Sequence, residues 1–299
     1  MKMKSYFIET ILLVIIVSPS VAIVTPPPPG PPLYVFGDSL VDAGNNNHLQ
    51  DPAPKANHPF HGVDYPGNVS TGRFCNGYIG SDYVAMCLGY PQSPPAYLSI
   101  TNEFQTLGGI NFASAGSGIL NSTGEGTLSL ATQVMYFEGA ASNLSRRVGN
   151  MAPNTLLSKS IFYISSGSND IFAYFFGSKN QTNNQFIATM VNNFRLHLTK
   201  LYNCGARKII MLSTSNIGCI PFIRSLFPLS SGDCSEELNN LSIQFKNETR
   251  DLLQNLTSTM PELRYTFIDT YEIDSELREN AHQYGFTDLT NACCGHWKV

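Results

Sequence analysis

Short apolar runs alternate with longer amphipathic segments along most of this 299-residue chain. Five short runs have the length and composition of buried β-strands, and five longer segments have the apolar spacing of α-helices. The strands are predicted at 33–36, 109–113, 161–165, 208–212 and 265–268, and the helices at 78–88, 128–148, 184–202, 236–256 and 273–283. Strands that alternate with helices predict one α/β domain, in which a mostly parallel sheet is covered on both faces.

Two helix boundaries carry recognisable signals. Cys204-Gly205 follows the third predicted helix, and glycine commonly ends a helix because it adopts the left-handed conformation at no steric cost. Ser235 precedes the fourth predicted helix, where its hydroxyl can cap a free backbone N–H. The region from 45 to 105 is rich in Asn, Pro and Gly, and we predict that it is mostly loop.

The first 22 residues have the pattern of a secretory signal peptide. Two lysines precede an apolar stretch that is densest at residues 11–17, and small residues lead up to Ala22. A membrane anchor is the alternative, but a spanning helix needs about 20 apolar residues and Glu9 interrupts this stretch. We therefore expect cleavage after Ala22, secretion, and no stable membrane anchor.

The rest of the chain divides into a linker and a domain. Residues 23–32 are rich in proline, which favours an extended chain and cannot continue a helix. Residues 33–299 form the predicted domain. Seven Asn-x-Ser/Thr sequons are expected sites for N-glycans in a secreted chain. Their asparagines are Asn68, Asn121, Asn143, Asn180, Asn240, Asn247 and Asn255.

The seven cysteines fit an oxidising compartment. Cys219 and Cys234 flank a proline-containing loop, and we predict that they form a disulfide. An odd number leaves at least one thiol without an intramolecular partner. The spacing shows no zinc pattern and the sequence predicts no cofactor. A net charge of −4 with only 13% charged residues argues against a nucleic-acid partner.

Polar, glycine-rich turns follow the first three predicted strands. The turns are Gly37-Asp38-Ser39-Leu40, Ala113-Ser114-Ala115-Gly116-Ser117-Gly118 and Gly167-Ser168-Asn169-Asp170. Ligands of doubly wound sheets bind beyond the carboxyl ends of the strands, so these turns form the candidate site. A serine hydroxyl on such a turn becomes a nucleophile when a base takes its proton. The alternative is that Asp38 and Ser39 merely cap a helix.

With their flanking residues, the three turns resemble, in order, three sequence blocks of the plant GDSL esterases/lipases, which belong to the SGNH hydrolases. The blocks begin at Phe36 (FGDSLVDAGNN), Asn111 (NFAS) and Gly167 (GSND). Further matches in the same order are Gly72-Arg73-Phe74, Ile217-Gly218-Cys219-Ile220-Pro221 and Ala292-Cys293-Cys294-Gly295. The resemblance implies a three-layer α/β/α sandwich with a flavodoxin-like sheet.

The resemblance also implies a role for each turn. Ser39 corresponds to the nucleophile, on a turn that leads into a helix, and Asn169 to an amide that donates to the oxyanion. Another donor is the backbone N–H of a glycine. Gly116 and Gly118 are both candidates for this role, and Gly116 is preferred. Asp170 is expected to be a turn or cap residue. The implied function is hydrolysis of carboxylic esters, with acyl lipids as the expected substrates, in the apoplast or cell wall.

The general base of the family has no counterpart in this sequence. In the family it lies in an Asp-x-x-His motif followed by Pro, and none of the six histidines here has that context. We therefore expect a shortened form without this block, in which Cys293 or Cys294 lacks its partner. His197 is predicted to lie on a helix surface. The alternative function is an impaired pseudoenzyme, or a secreted glycoprotein that binds a ligand.

Overall fold

A computed structural model of the chain describes residues 30–148, 152–226 and 234–292. In these residues five strands form a single parallel sheet. They are β1 (Leu33–Gly37), β2 (Gly109–Asn111), β3 (Ile161–Ser165), β4 (Lys208–Leu212) and β5 (Arg264–Ile268). Their order is β2-β1-β3-β4-β5. The direction of winding changes between β1 and β3, which is the position where sheets of this order bind ligands.

Helices pack on both sides of this sheet. They are α1 (Gly80–Cys87), α2 (Leu130–Val148), α3 (Ala152–Lys159), α4 (Ser168–Phe176), α5 (Asn183–Asn203), α6 (Pro221–Leu226), α7 (Glu236–Thr259) and α8 (Thr270–Glu279). Short 3-10 helices lie at Asn45–His48, Tyr97–Ser99, Glu103–Thr106, Ile217–Cys219 and Ala281–Tyr284. Among the described helices, none combines the length and the apolar character that crossing a membrane requires.

The two faces of β1 enter different cores, because successive side chains of a strand point in opposite directions. Tyr34 and Phe36 belong to the larger core, which also contains buried residues of α2, α5 and α7. There the rings of Phe36 and Phe112 stack with centroids 5.3 Å apart. Leu33 and Val35 belong to the smaller core, which includes α1. The predicted α/β/α sandwich is therefore confirmed.

The predicted strands and the first four predicted helices are present, with small changes at their ends. β2 ends at Asn111, two residues earlier than predicted. The Asn111 side chain accepts from the backbone N–H of Ala113 at 3.0 Å and donates to the carbonyl of Val41 at 2.7 Å. These side-chain bonds hold the chain in a turn, where strand pairing would otherwise continue.

The last predicted helix lies three to four residues earlier in the chain than predicted. α8 starts at Thr270, because Asp269 caps it by accepting from the N–H of Glu272 at 3.2 Å. It ends at Glu279, and a separate 3-10 helix follows up to the left-handed Gly285 (φ 81°). Three helices, α3, α4 and α6, were not predicted. They are short, with at most nine residues each, so their periodic signal is weak.

Three further predictions concern a disulfide, a helix cap and the position of a histidine. Cys219 and Cys234 form the predicted disulfide. The hydroxyl of Ser235 caps α7 by accepting from the N–H of Leu238. His197 does not lie on a helix surface: it is only 8% exposed, with Nε2 3.3 Å from the carbonyl oxygen of Ile119.

Several predictions fall outside the described residues. They concern the signal peptide, most of the linker, and Cys293 and Cys294.

Candidate active site

The carboxyl end of β1 lies between the turns that follow its two neighbours. Gly37 pairs with Ser165 of β3, and the N–H of Asp38 donates to the Ser165 carbonyl at 3.1 Å. On the other side, the N–H of Ser114 donates to the Gly37 carbonyl at 2.9 Å. The three glycine-rich turns therefore meet at one edge of the sheet.

Ser39 is half-buried at the tip of a tight turn. The carbonyl of Asp38 accepts from the N–H groups of Val41 at 3.2 Å and Asp42 at 3.0 Å, which closes the turn. The expectation that a helix follows directly is wrong, since the next helical element is the 3-10 helix Asn45–His48. The bonds of a single turn therefore fix the backbone around Ser39, and no α-helix dipole begins there.

Gly37 must be glycine for this turn to approach β3. Its φ is 142°, and a Cβ atom would lie 1.9 Å from the carbonyl oxygen of Ser165. Any larger residue would push the two strands apart exactly where the Ser39 turn leaves the sheet.

The carboxylate of Asp42 joins the first turn to the second. One oxygen accepts from the N–H groups of Gly44 and Asn45, both at 2.7 Å, and the other accepts from Ala115 at 3.0 Å. Asn45 and Asn46 extend this connection: the Asn45 amide donates to the Ala113 carbonyl at 2.8 Å, and the Asn46 amide to the Ala115 carbonyl at 2.9 Å. The sequence analysis assigned no role to these three side chains.

The third turn contacts the second through Asn169 and Asp170. The amide Nδ2 of Asn169 donates to the carbonyl of Ser117 at 2.9 Å. The Ser117 hydroxyl in turn donates at 3.0 Å to the carbonyl of Gly37, two residues before Ser39. The structure thus brings Ser39 and Asn169 to the same rim of the sheet, connected through Ser117.

Asp170 is neither a simple turn residue nor a helix cap. It is 1% exposed, and its carboxylate accepts from the N–H groups of Ile119 at 2.8 Å and Leu120 at 3.0 Å, and from the Thr123 hydroxyl at 2.8 Å. All three donors lie about fifty positions away in the sequence, in the segment after the second turn. This is why local pattern could not predict the role.

The structure gives a different reason for glycine at each of the two candidate positions. A Cβ on Gly118 would lie 2.4 Å from Oδ1 of Asp170, so close packing alone explains it. Gly116 has a left-handed φ of 83°, is half-buried, and has room for a Cβ, whose nearest neighbour would be Thr127 at 3.4 Å. Of the two, Gly116 is the less buried.

Three buried carboxyl groups lie beneath this rim. Burial raises the pKa of Asp38 to about 7 and that of Asp42 to about 6, although backbone N–H groups partly oppose the shift. Burial also raises the pKa of Asp170. Nearby carboxylates add to the shift of Asp38 because two negative charges repel each other. Asp38 therefore carries a proton in mildly acidic solution.

The hydrogen bonds of His58, His61 and His197 go to backbone carbonyl oxygens. His58 contacts the carbonyls of Pro59 and Lys55. His197 contacts a backbone carbonyl, and burial lowers its pKa.

The doubly wound sheet with a serine-bearing turn at its switch point defines an α/β protein with a candidate site at the carboxyl ends of its strands. Comparison with known proteins agrees: residues 33–298 match the family described as GDSL-like lipase/acylhydrolase. The chain belongs to this family, which places it among the hydrolases that act on ester bonds.

Several relatives cover most of the chain. A GDSL esterase/lipase of Arabidopsis thaliana is 37% identical over 274 residues, which are 89% of this chain and 70% of the relative. A second from the same plant is 36% identical over 293 residues, covering 90% and 74%. Among solved structures, the acetylxylan esterase Axe2 of Geobacillus stearothermophilus aligns with a TM-score of 0.43 and 13% identity over 88% of each chain.

Proposed function

We propose that this chain is a secreted serine ester hydrolase in which Ser39 is the nucleophile. The Ser39 N–H, Gly116 and the Asn169 amide would donate to the oxyanion. The observation that carries the proposal is the connection of the three turns, from Asn169 to Ser117 and from Ser117 to Gly37. It supports a site in which the turn that carries Ser39 and the Asn169 amide are held on one rim before any substrate binds, and such preorganisation is what oxyanion stabilisation requires.

The reaction follows the ordinary course of acyl transfer. The Ser39 oxygen forms a bond to the ester carbonyl carbon while a base takes the hydroxyl proton, and the carbonyl oxygen becomes an oxyanion. Collapse of this intermediate breaks the bond to the alcohol, which leaves with the proton. Water then attacks the acyl-enzyme in the same way and releases the acid.

The hydrogen bond to Ser117 sets the orientation of the Asn169 amide. The opposite orientation would place the amide oxygen 2.9 Å from the Ser117 carbonyl oxygen, which is repulsive. With Nδ2 in this position, one N–H of the amide is held by Ser117. The other N–H is left to donate to an oxyanion, and it needs no rearrangement to do so.

This sequence does not contain the family motif that supplies the general base. We propose that the 299 residues form the nucleophile and donor half of the site and lack the Asp-x-x-His half. Loss of the base of a triad typically reduces turnover by several orders of magnitude and leaves a residual rate from the oxyanion donors. An added base of the same chemistry, imidazole, should restore part of the loss.

An exposed apolar side chain next to Ser39 favours an apolar acyl group. Leu40, the following residue, is 57% exposed. We therefore propose acyl lipids as the substrate class.

The sequons support glycosylation in a secretory compartment. All seven asparagines are exposed. Asn240, Asn247 and Asn255 lie on α7 at spacings of seven and eight residues, which places them on similar sides of the helix. Secretion from a eukaryotic host followed by enzymatic deglycosylation should lower the mass, and each used asparagine should be converted to aspartate.

The function is tested with the secreted, glycosylated chain and a short-chain nitrophenyl ester, with and without imidazole. We expect slow hydrolysis alone and faster hydrolysis with imidazole, in excess of the rate that imidazole gives without protein. Ser39→Ala should remove this excess, whereas Ser168→Ala, on the third turn, should retain most of it. His296→Ala is included because this residue could replace the missing base.

Labelling with a phosphonyl fluoride gives an independent measure. Intact mass should show one adduct, on Ser39. If Ser39→Ala hydrolyses and labels like the unaltered chain, the Ser39 mechanism is wrong. If the unaltered chain neither hydrolyses nor labels at any imidazole concentration, the alternative of a non-catalytic ligand-binding glycoprotein holds.

A further inference from the structure

A fully buried glutamine lies behind the three turns, and the sequence analysis did not identify it. Gln133 is on α2 with 0% exposure, between the buried core residues Leu130, Val134 and Phe137. A polar side chain in this position must have hydrogen-bond partners for each of its polar atoms, because burial removes water.

The partners of Gln133 belong to the candidate site. Its Oε1 accepts from the N–H of Gly37 at 2.8 Å. Its Nε2 donates to the carbonyl of Gly37 at 2.9 Å, to the carbonyl of Leu128 at 2.8 Å, and more weakly to the hydroxyl of Ser117 at 3.2 Å. One side chain thus contacts both polar backbone groups of the last residue of β1.

One of these bonds replaces a strand-pairing hydrogen bond of Gly37. β2 pairs with β1 only as far as Val35 and Asn111. Beyond that point the N–H of Ser114 still donates to the Gly37 carbonyl at 2.9 Å, but the N–H of Gly37 donates to the Gln133 side chain in place of a backbone carbonyl. Oε1 of Gln133 therefore takes the place of the strand carbonyl that would accept this N–H, and Nε2 adds a further donor to the Gly37 carbonyl.

The same side chain also holds the link between the proposed nucleophile and the proposed oxyanion donor. Ser117 accepts from Asn169 through its carbonyl, and its hydroxyl donates to Gly37. Gln133 contacts Gly37 and Ser117 together, so it fixes the separation of the first and second turns. Without it, the Gly37 N–H would lose its partner and the Ser117 side chain would lose one of its two contacts.

We propose that Gln133 is a positioning residue for ester hydrolysis, which sets the geometry between Ser39 and Asn169 by clamping Gly37 to Ser117. The inference rests on the proposed function of Ser39. A misplacement of about 1 Å can cost roughly 100-fold in the rate of a positioned reaction. Changes at Gln133 should therefore reduce the chemical step more than the binding of a reagent.

Two substitutions of Gln133 test its hydrogen bonds separately, and one substitution of Ser117 tests the link to Gly37. Gln133→Glu keeps an acceptor for the Gly37 N–H but turns an oxygen toward the carbonyls of Gly37 and Leu128. Gln133→Met keeps a similar volume and removes both kinds of hydrogen bond. Ser117→Ala removes only the hydroxyl between Gln133 and Gly37, so it tests the same link with little risk to folding.

The readout is the reaction of Ser39 with a phosphonyl fluoride at fixed imidazole. The Ser39 oxygen bonds to phosphorus, fluoride leaves, and imidazole takes the proton. Rates over a range of probe concentrations separate the maximal rate of labelling from the apparent affinity. The control is Asn239→Leu, which removes a comparable bond, from the Gly218 N–H at 2.8 Å, at the start of α7.

We expect the maximal rate to fall about 10- to 100-fold in both Gln133 variants, with an affinity within about twofold of the unaltered chain. In Ser117→Ala the maximal rate should fall less. In the double variant with Gln133→Met, the fold reduction in this rate should be smaller than the product of the two separate fold reductions. Asn239→Leu should lower the thermal midpoint but leave the labelling rate unchanged.

Other results would overturn the inference. One is an unchanged maximal rate in folded Gln133 variants, or in Ser117→Ala should the Gln133 variants not fold. Another is a loss of rate in Asn239→Leu as large as in the Gln133 variants, which would indicate a general effect of stability. Equal labelling of Ser39→Ala and the unaltered chain would instead contradict the proposed function itself.

Discussion

Replacing Asp38 by asparagine should make the protein more stable at neutral pH. The Asp38 carboxyl is 2% exposed, and Oδ1 accepts from the N–H of Leu40 at 3.1 Å. Asparagine has nearly the same shape and retains an oxygen for this bond. The substitution therefore removes the ionisation and keeps the contact.

The size of the effect follows from the pKa. Burial raises the pKa of Asp38 from 3.8 to about 7 in the folded chain. The folded state therefore holds the proton at pH values where the unfolded state has lost it. The free energy of unfolding is then highest below the unfolded pKa and falls as the pH rises toward 7. A shift of this size corresponds to a loss of about 4 kcal/mol.

The assay is urea unfolding of both proteins at pH values from 4 to 8. The free energy of the Asp38→Asn variant minus that of the unaltered chain should be near zero at pH 4 and rise by about 1.4 kcal/mol per pH unit until it levels off near pH 7. Asp42 and Asp170 are the same in both proteins, so their contributions largely cancel. The exposed Asp251→Asn on α7 serves as the control and should give a flat difference.

A difference that stays flat, or that grows toward acidic pH, would refute the reasoning. A flat difference would mean that water reaches the Asp38 carboxyl and keeps its pKa ordinary. Growth toward acid would mean that the ionised form is stabilised in the folded chain.

Three further substitutions have outcomes that the structure fixes. Gly118→Ala should lower the free energy of unfolding in urea by roughly 2 kcal/mol or more, because the new Cβ would meet the Asp170 carboxylate at 2.4 Å. Gly116→Ala meets no such clash and should cost only about 1 kcal/mol for its left-handed backbone, so an equal loss in both would contradict the packing argument. Arg73→Lys should cost roughly 2 kcal/mol in thermal or chemical unfolding, because lysine cannot make both 2.8 Å bonds to the buried Asp82; an unchanged midpoint would show that this pair contributes little.

The sequence predicted the elements of the fold better than their ends. Strands such as β3 and β4 are short apolar runs whose burial is evident from composition alone. β2 ends early because of side-chain bonds of Asn111 to the backbone of Ala113 and Val41. The bond to Val41 joins residues that are 70 positions apart in the sequence, and periodicity cannot report it.

At the candidate site, too, residues with a local sequence signal could be predicted, and residues whose partners are distant in the sequence could not. Ser39 and Asn169 could be proposed from the sequence because each stands in a short turn that follows a strand and resembles a block of the family. The side chains that hold the turns together could not, since Asp170 and Gln133 bond to segments that only the fold brings close. Gln133 did leave a signal, which is an amide within the apolar stripe of α2, but that signal shows burial and does not name the partner.

The hydrogen bonds that join the three turns all lie within residues 37–170. Their donors and acceptors lie between Gly37 and Asp170, on the side of the sheet formed by β2, β1 and β3. The nucleophile and oxyanion donors of the proposed site therefore do not depend on β4 and β5 for their geometry. In the family, the base lies near the C-terminus, in a different part of the fold. The proposed donors would then be in place in a chain without the Asp-x-x-His motif, and for this reason added imidazole, rather than repair of the rim, is the perturbation expected to restore turnover.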